Sequence, residues 1–292
     1  MSIPAISLVI LSALLHAFRN LFTKESGDKQ IFLWWYSVFA LVFYAPLFVY
    51  FLNREGVDDP SAYIWCAASG FIHCLYWLFL TNSYKEGDLS HVYPIMRSSP
   101  ALVLLFAVLF LDEQVSAQGV VGVLLVAFGI YIINMKRWAA SELWAPVRSI
   151  AHDPSTRFAF FTLLAVAVYS IVDKAAVSRI HPVLFAFYHL FFGMLYYTPY
   201  IALKKDRALV RQEWIANKKR ILASGFIGIF GYTLILIAFT LGRVSYIVGL
   251  RQLSIVFAVL MGSYFLKEKQ RGLRFVGALI IFSGGFLISL AK

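Results

Sequence analysis

Polar side chains that could bind an anion recur at helical spacing in one apolar stretch near the start of this sequence. Arg19, Asn20 and Thr23 follow His16 by three, four and seven residues, which places all four on one face of a helix. A guanidinium binds a carboxylate or phosphate through two parallel hydrogen bonds. This face therefore predicts a site for an anionic group, unless Arg19, near the end of the stretch, extends to the polar surface instead.

Two further arginines occupy matching places in a duplicated part of the chain. Residues 87–134 and 242–289 align at a constant offset of 155, with 12 identities in 48 positions. Arg97 lies in the first copy and Arg251 in the second, one position apart in this alignment. Two guanidiniums within apolar segments that contain few acidic side chains favour an anionic or zwitterionic ligand.

The candidate binding surface extends to aromatic and polar residues on other apolar stretches. Tyrosine and tryptophan rings would supply apolar walls or a cation–π contact to an ammonium group, although aromatic residues also form belts at membrane interfaces. The candidate substrate-binding residues are Arg97, Arg251, Arg19, Asn20, His16, Tyr93, Tyr76, Trp77, Tyr169, Gln252, Tyr246 and Tyr232.

Three titratable side chains within apolar stretches are candidates for proton coupling, namely Asp173, His16 and His189. Ionisable groups inside a membrane often belong to proton relays, and histidine titrates near neutral pH. Two alternatives stay open. Asp173 and the adjacent Lys174 could mark the headgroup region, and His189 could equally be a hydrogen-bonded core residue.

The composition is that of a membrane protein. Of 292 residues, 61% are hydrophobic and 14% are charged, whereas soluble domains average about 45–50% apolar and about 25% charged residues. A helix needs roughly 20 apolar residues to cross the bilayer, and it satisfies its own backbone hydrogen bonds there. We therefore predict an all-α membrane protein with ten transmembrane helices, at about residues 3–22, 31–52, 62–84, 89–111, 115–135, 156–177, 182–204, 218–241, 245–266 and 270–290.

Basic residues are distributed unevenly between the predicted loops. The net charge of +11 would suggest nucleic-acid binding in a soluble protein. Here, however, 18 lysines and arginines lie in or beside the odd-numbered loops, and five lie in the even-numbered loops and at the C-terminal end. Because cytoplasmic loops carry an excess of basic residues, we predict odd-numbered loops inside, both termini outside, and no nucleic-acid partner.

The chain divides into two halves around a stretch that has no spanning segment. Residues 1–135 are the predicted first five-helix repeat, residues 136–157 a linker, and residues 158–292 the second five-helix repeat. The linker could contain a short interfacial helix or be a plain connection. An odd number of helices in each half gives the copies opposite orientations, and so predicts two inverted repeats around a central cavity.

Glycines at matching positions in the fifth and tenth predicted helices indicate close packing. Gly122 and Gly129 are seven residues apart, as are Gly277 and Gly284. Seven residues is about two helical turns, so each pair lies on one face, where another helix can approach closely. In the fourth helix, Pro94 and Pro100 predict a kink near Arg97.

Several short strings recur in a characteristic order and spacing along the chain. They are LLHAFRNLFTK at residues 14–24, YPIMRSSP at residues 93–100, LRQLS at residues 250–254, and the Leu-x-Glu turns at residues 111–113 and 266–268. Taken together, these strings resemble bacterial EamA-type transporters of the drug/metabolite transporter superfamily, and the resemblance covers the whole chain. It implies a ten-helix basket of two inverted five-helix halves, in which the first four helices of each half surround a central cavity and the fifth is peripheral.

Arg19 departs from the family pattern, because many relatives carry tryptophan at this position. A cationic side chain there would change the substrate. The run FLWW at residues 32–35 and the pairing of His16 with Asn20 resemble family members associated with phosphonate use, which implies an anionic substrate. The family includes both importers and exporters, so the resemblance implies no direction.

These observations predict a multi-pass secondary transporter of a bacterial inner (plasma) membrane. It would move a small organic metabolite, anionic or zwitterionic and amino-acid- or phosphonate-like, by alternating access. An exporter of aromatic or cationic compounds is the alternative, and an intramembrane enzyme is a more distant one. No catalytic residue, metal site or cofactor is predicted, since the chain has no HExxH, GxSxG, Cys/His metal spacing or nucleotide-binding signature. The expected partners are the substrate and the lipid bilayer, for a monomer or a homodimer.

A reporter fused after residue 292 tests the predicted orientation. Alkaline phosphatase, which is active only in the periplasm, should be active there because the distribution of basic residues places this end outside. Green fluorescent protein fused at the same place should stay dark. Inactive phosphatase together with a fluorescent fusion would reverse the predicted orientation.

Overall fold

Helices make up almost the whole of the structure, a computed structural model that describes residues 1–86, 95–135, 153–265 and 272–291. No strand occurs within these ranges. In chain order the helices are α1 (Ile3–Lys24), α2 (Lys29–Glu55), α3 (Ser61–Glu86), α4 (Ser99–Leu111), α5 (Ala117–Asn134), α6 (Pro154–Ala176), α7 (Pro182–Lys204), α8 (Arg207–Leu241), α9 (Val244–Arg251), α10 (Leu253–Phe265) and α11 (Gly272–Leu290).

The helices follow the apolar segments of the sequence. Six of them are long and apolar enough to cross a membrane, namely α1, α2, α3, α6, α8 and α11. Shorter apolar helices lie at Ile95–Leu111, Ala117–Ile133 and Val244–Phe257. The all-α fold predicted from the sequence is thereby confirmed.

α8 begins earlier than the apolar pattern predicts, at Arg207 rather than at residue 218. The carboxylate of Asp206 accepts a 2.8 Å hydrogen bond from the N–H of Ala208 and so caps the first turn. The backbone leaves helical geometry at Asn217, where φ is −122° and ψ is 15°. α8 therefore consists of a polar first part and an apolar second part, and only the second corresponds to a predicted span.

The fourth and ninth predicted segments are both interrupted helices. Residues 95–97 are helical and a turn separates them from α4. In the same way, α9 ends at Arg251 and a turn at Gln252 separates it from α10. Pro100 lies in the first turn of α4 and has no N–H to bond back across the break. Pro94, the other residue expected to cause the kink, lies outside the described residues.

α5 and α11 pack against each other through their paired glycines. A Cβ added at Gly122 would lie 2.9 Å from the carbonyl oxygen of Gly284, and one added at Gly129 would lie 2.8 Å from that of Gly277. The two backbones therefore approach too closely for a side chain. The repeat aligns Gly122 with Gly277 and Gly129 with Gly284, whereas the contacts join Gly122 to Gly284 and Gly129 to Gly277. The contact is therefore self-complementary, and the two helices run antiparallel.

A carboxylate from the first half caps a helix of the second half. Glu113, in the turn after α4, accepts a 2.5 Å hydrogen bond from the N–H of Val244 and a 2.6 Å bond from the hydroxyl of Ser245. The residue at the N-cap of α9, Arg243, makes no side-chain capping bond of its own. Glu113 therefore satisfies N–H groups at the start of α9 that have no intrahelical acceptor.

An ion pair joins the loop before α2 to the loop after α7. Asp28 accepts hydrogen bonds from the N–H groups of Gln30 and Ile31 and lies 2.5 Å from Nζ of Lys205. Burial raises the pKa of Asp28, but the bonds from Lys205 and from the two backbone N–H groups outweigh it, and the pKa is lowered. The pair therefore persists at neutral pH and its contribution to stability is lost only as the pH falls through that lowered pKa.

α6 begins inside the stretch that the sequence assigned to a linker. The carboxylate of Asp153 accepts hydrogen bonds from the N–H groups of Ser155 and Thr156 at 3.2 Å and 2.9 Å, and Pro154 starts the helix. Residues 154–157 are thus part of α6. Residues 136–152, which contain the candidate interfacial helix, lie outside the described residues.

Replacing Gly122 by leucine should destabilise the fold. A side chain there must separate α5 from α11, because even a Cβ would lie 2.9 Å from a backbone oxygen, and overpacking of this kind costs about 1–3 kcal/mol. Reversible unfolding in mixed detergent micelles measures the loss. The matched control is Gly272→Leu, since among the described residues no neighbouring atom lies within 4 Å of a Cβ built at Gly272. A Gly122→Leu protein with unchanged stability and no transport would contradict the scaffold role of this contact.

Candidate substrate-binding site

Three arginines on different helical segments act electrostatically on one imidazole, that of His16. His16, on α1, lies within electrostatic reach of Arg19, Arg251 and Arg97. Arg19 is also on α1, Arg97 ends the short helical stretch before α4, and Arg251 ends α9. The structure therefore brings together the three arginines to which the sequence analysis assigned anion binding.

The guanidinium of Arg19 points into the bundle. Its Nη2 lies 2.9 Å from Nδ1 of His16, and its Cζ lies 5.8 Å from the centroid of the Tyr36 ring. Gly228 on α8 lies beside this side chain, and a Cβ there would be in ordinary van der Waals contact with Cδ of Arg19 at 3.4 Å. Because a guanidinium can only donate hydrogen bonds, Nδ1 of His16 is the acceptor and carries no proton.

Arg97 and Arg251 each lie at the end of a short helical stretch, next to a break. Cζ of Arg251 lies 5.7 Å from the centroid of the Tyr232 ring, and Arg97 lies within electrostatic reach of Tyr169. At such a break the terminal C=O and N–H groups lack intrahelical partners, and interrupted helices form ligand sites in many transporters. The same two places thus combine a side-chain cation with backbone hydrogen-bonding groups.

A small cavity lies between α1, α8 and α9 beside two of these arginines. Its volume is about 10 Å³, which is room for about one water molecule. A metabolite would therefore require these helices to move apart. The lining residues are Ser12, Leu15, His16, Arg19, Ile227, Gly228, Gly231, Tyr232 and Arg251.

Asp173 is a fully buried carboxylate held by groups from two other helices. Its Oδ1 accepts a 2.5 Å hydrogen bond from the hydroxyl of Ser69 on α3, and its Oδ2 accepts one from the hydroxyl of Tyr232 on α8. Nε2 of His73 lies 4.0 Å from the same Oδ2. Asp173 is therefore enclosed by side chains of α3 and α8.

Lys174, the next residue, has a different environment. Its Nζ donates hydrogen bonds to the carbonyl oxygens of Phe239 and Gly242, the latter at 2.9 Å. These carbonyls end α8, where a cation is favoured by the helix dipole. Asp173 is thus a buried carboxylate, whereas the ammonium group of Lys174 caps the end of α8.

Aromatic rings extend the polar cluster along α3 and α6. The His73 and Tyr169 rings stack with their centroids 4.1 Å apart, and the Tyr76 ring meets that of Tyr169 edge-on at 5.7 Å. Two of the aromatic candidates from the sequence, Tyr76 and Tyr169, therefore border the cluster around Asp173.

His189 on α7 lies at the edge of this cluster. Its ring centroid is 5.0 Å from that of His73 and 5.1 Å from that of Tyr232. Nδ1 of His189 donates to the carbonyl oxygen of Phe185 at 3.1 Å, which is the hydrogen-bonded arrangement of a neutral core histidine. Within the described ranges, His, Cys, Asp and Glu side chains form no group of three or more that could hold a metal ion.

Two aromatic candidates make their contacts elsewhere. The hydroxyl of Tyr246 accepts a 2.9 Å hydrogen bond from the N–H of Ser116, and Arg243 lies over its ring at 5.2 Å. Tyr246 therefore fixes α9 against the start of α5. Trp77 packs edge-on against Tyr197 at 5.5 Å as part of the apolar core. Neither of these contacts involves the three arginines, so substrate binding by Tyr246 and Trp77 stays a prediction.

Three predicted site residues remain, namely Gln252, Asn20 and Tyr93. Gln252 is buried in the break between α9 and α10, and its Nε2 donates to the carbonyl oxygen of Val248 at 3.3 Å. Its Oε1 has no hydrogen-bond partner in the part of the chain that the structure describes. Asn20 is partly buried on α1. Tyr93 lies outside the described residues.

The sequence analysis did not select Ser69, His73 or Tyr36 as site residues. Ser69 and His73 precede Tyr76 by seven and three residues, so they belong to the same helical face, and that spacing could have identified them. Tyr36 carried no comparable signal, because it directly follows the aromatic run FLWW.

One family profile matches the chain twice. The profile of the EamA-like transporter family covers residues 3–135 and again residues 157–290. The chain belongs to the EamA-like transporter family. It is thus a multi-pass membrane transporter of the drug/metabolite transporter superfamily, and the resemblance found in the sequence is confirmed.

The fold of this EamA-like transporter also matches a solved structure. A protein crystal structure superposes on 98% of this chain and 96% of its own, with a TM-score of 0.73 and 19% sequence identity. At that identity the similarity shows the fold alone. A search of curated proteins finds no match.

Tyr232→Phe should destabilise the transporter by about 1–3 kcal/mol, because the fully buried Asp173 would lose one of its hydroxyl donors. The phenylalanine ring keeps the contact with Arg251, so the change isolates the hydrogen bond. Unfolding in mixed micelles gives the difference from wild type. Tyr196→Phe, at an exposed position, is the control. Equal stability of wild type and Tyr232→Phe would show that this bond contributes nothing.

Proposed function

We propose that this EamA-like transporter is a secondary transporter for a small anionic or zwitterionic organic metabolite, either amino-acid-like or phosphonate-like. The observation that carries the proposal is the convergence of Arg19, Arg97 and Arg251 around His16. Positive charge within an apolar bundle is costly unless an anion is near. The carboxylate of Asp173 lies within electrostatic reach of Arg251, and the anionic group of a ligand would add to the negative charge near these arginines.

The anionic end of the substrate would bind between the arginines. Guanidinium forks match the oxygens of a carboxylate or phosphonate, and the backbone groups at the two helix breaks can add further hydrogen bonds. An ammonium group of a zwitterion would face the tyrosine rings or the unpartnered Oε1 of Gln252. Each end of a zwitterionic substrate would thus contact groups suited to its charge.

Alternating access follows from the arrangement of the halves that we propose. The two family matches, the antiparallel contact of α5 with α11, and the matched breaks at Arg97 and Arg251 support two inverted five-helix repeats with ten spans. The repeats would comprise residues 1–135 and 158–292, joined by the linker. Rocking of one half against the other would open the small central cavity to each side in turn.

The distribution of basic residues supports an orientation and a membrane location for the transporter. With basic residues concentrated in the odd-numbered loops, both termini would face outward from a bacterial inner membrane. The self-complementary contact of α5 with α11 lies within a single chain, so transport as proposed requires only a monomer, and a homodimer remains compatible with it.

Export of aromatic or cationic compounds is the second candidate. The rings of Tyr36, Tyr76, Tyr169 and Tyr232 around the cavity and the cluster favour it, because aromatic faces bind cations. Three guanidiniums oppose it, since like charges repel within a site of low dielectric. The anionic or zwitterionic substrate therefore has the stronger support.

An enzyme of the serine-hydrolase type fits the geometry poorly. Ser69, His73 and Asp173 lie together, but the hydroxyl of Ser69 donates to Asp173, and Nδ1 of His73 lies 2.9 Å from the carbonyl oxygen of Ser69. A nucleophilic triad instead needs the histidine between the hydroxyl and the carboxylate.

Arg97→Ala and Arg251→Ala test the anion site. Loss of charged hydrogen bonds costs about 1.5–3 kcal/mol, so each variant should bind its ligand at least about tenfold more weakly while remaining folded. A melting-shift screen of carboxylates, amino acids, phosphonates and aromatic cations identifies the ligand class, and counterflow in proteoliposomes then measures exchange. Arg54→Ala is the control, because that side chain is 65% exposed. Unchanged affinity in both site variants, or melting shifts with aromatic cations alone, would contradict the proposal.

A further inference from the structure

The carboxylate of Asp173 is held by neutral donors, although it is fully buried. Its hydrogen-bond donors are the hydroxyls of Ser69 and Tyr232, with the imidazole of His73 4.0 Å away. In the described ranges no lysine or arginine forms an ion pair with it. A buried carboxylate in such a setting binds a proton far more readily than one paired with a guanidinium.

We propose that Asp173 is the proton-binding group of the transport cycle, and that one proton and the anionic substrate cross the membrane together. This inference deepens the proposed function and rests on it. It names the coupling ion, the residue that carries it, and the direction of the proton relative to the substrate.

The hydrogen-bond network has a place for the additional proton. In the ionised state the hydroxyl of Tyr232 donates to Oδ2 of Asp173. When Oδ2 binds a proton, the new O–H donates to the oxygen of Tyr232, and the hydroxyl of Tyr232 turns to Nε2 of His73, which lies 3.2 Å away. Nδ1 of His73 donates to the carbonyl oxygen of Ser69 at 2.9 Å, so Nε2 is free of hydrogen and can accept.

Arg251 links this network to the anion site. Its guanidinium lies over the ring of Tyr232 at 5.7 Å and within electrostatic reach of Asp173. In the empty site its positive charge favours the ionised carboxylate. A bound anion neutralises Arg251 and adds its own negative charge, so the carboxylate of Asp173 then gains a proton. By linkage, the protonated transporter binds the anion more tightly, and the two ligands travel in the same direction.

The surroundings of Asp173 are consistent with one exchangeable proton. α4, which also packs on α6, adds no titratable side chain, and Arg97 before it faces Tyr169. Lys174 bonds to the end of α8 instead. The titratable and charged groups that face Asp173 are Cys66 and His73 on α3, Tyr169 on α6, Tyr232 on α8 and Arg251 on α9.

The two histidines considered from the sequence are less suited to carry the proton. Nδ1 of His16 already accepts from Arg19, and two more guanidiniums lie within electrostatic reach of this ring, so a second positive charge there is opposed. His189 donates to the carbonyl oxygen of Phe185 and contacts the network only through ring packing. The cavity that Tyr232 and Arg251 line has room for a water molecule, and Tyr232 is also the residue that donates to Asp173.

Transport of labelled 2-aminoethylphosphonate into proteoliposomes tests the coupling, with the membrane potential clamped by potassium and valinomycin. Wild type should exchange the probe and should also accumulate it up to about tenfold for each pH unit by which the lumen is more alkaline. Asp173→Asn mimics the protonated carboxylate, so it should keep exchange and lose accumulation. Asp206→Asn is the matched control, because asparagine caps a helix as well as aspartate does, and it should behave as wild type.

The outcomes separate the two proposals. Exchange without accumulation in wild type, or equal accumulation by Asp173→Asn, overturns the coupling and leaves the proposed function standing. Absence of exchange by wild type, of this probe and of every carboxylate, amino acid and phosphonate in the melting-shift screen, overturns the proposed function and the coupling with it. If Asp173→Asn does not fold, the wild-type protein alone tests the coupling at about pH 8. At this pH a phosphonate, which resembles a phosphomonoester, is fully ionised. Downhill entry of the probe must then acidify the lumen, as reported by trapped pyranine, and a lumen that stays at constant pH overturns the coupling.

Discussion

Charge inside an apolar bundle is the constraint on which the rest of this structure depends. Arg19, Arg97 and Arg251 lie partly buried in apolar segments of the sequence, where guanidiniums are rare in membrane proteins. His16 accepts from Arg19, Tyr232 lies beneath Arg251, and Gly228 lies beside the side chain of Arg19. The carboxylate of Asp173 lowers the net charge without forming a direct ion pair. The proposed preference of the site for an anion rests on these guanidiniums.

Fixed contacts outside the site hold the charged groups in place. α5 and α11 meet through glycines with no side chain between them, and Glu113 caps α9, the helix that ends at Arg251. Tyr246 binds the start of α5 from the same helix. The break after Arg251 is thus held between rigid neighbours, while α1 and α8 enclose the small cavity that must widen. This division between scaffold and lining helices is what a carrier that alternates between two sides requires.

The sequence predicted the helices and the arginines because both are set by local chemistry. Apolar length determines the spans, and a guanidinium in an apolar segment is conspicuous in any sequence. The sequence alone could not show that the adjacent residues Asp173 and Lys174 have different environments. Tertiary packing places Asp173 against Ser69 and Lys174 at the end of α8. The start of α8 was missed because Asp206 caps a polar turn that has no apolar signal. Tyr246 and Arg251 share an apolar stretch, yet their contacts differ, since a helix turns each residue toward a different neighbour.

The central claim is that the anionic group of the substrate binds among the three arginines. Anomalous X-ray scattering from 2-aminoethylarsonate, in which arsenic replaces the phosphorus of the corresponding phosphonate, locates that group directly. The account predicts one strong arsenic peak within hydrogen-bonding range of guanidinium atoms of Arg19, Arg97 or Arg251, absent when an excess of the phosphonate is present. Arsenic found only at the exposed basic loops, with none between the arginines, would contradict it.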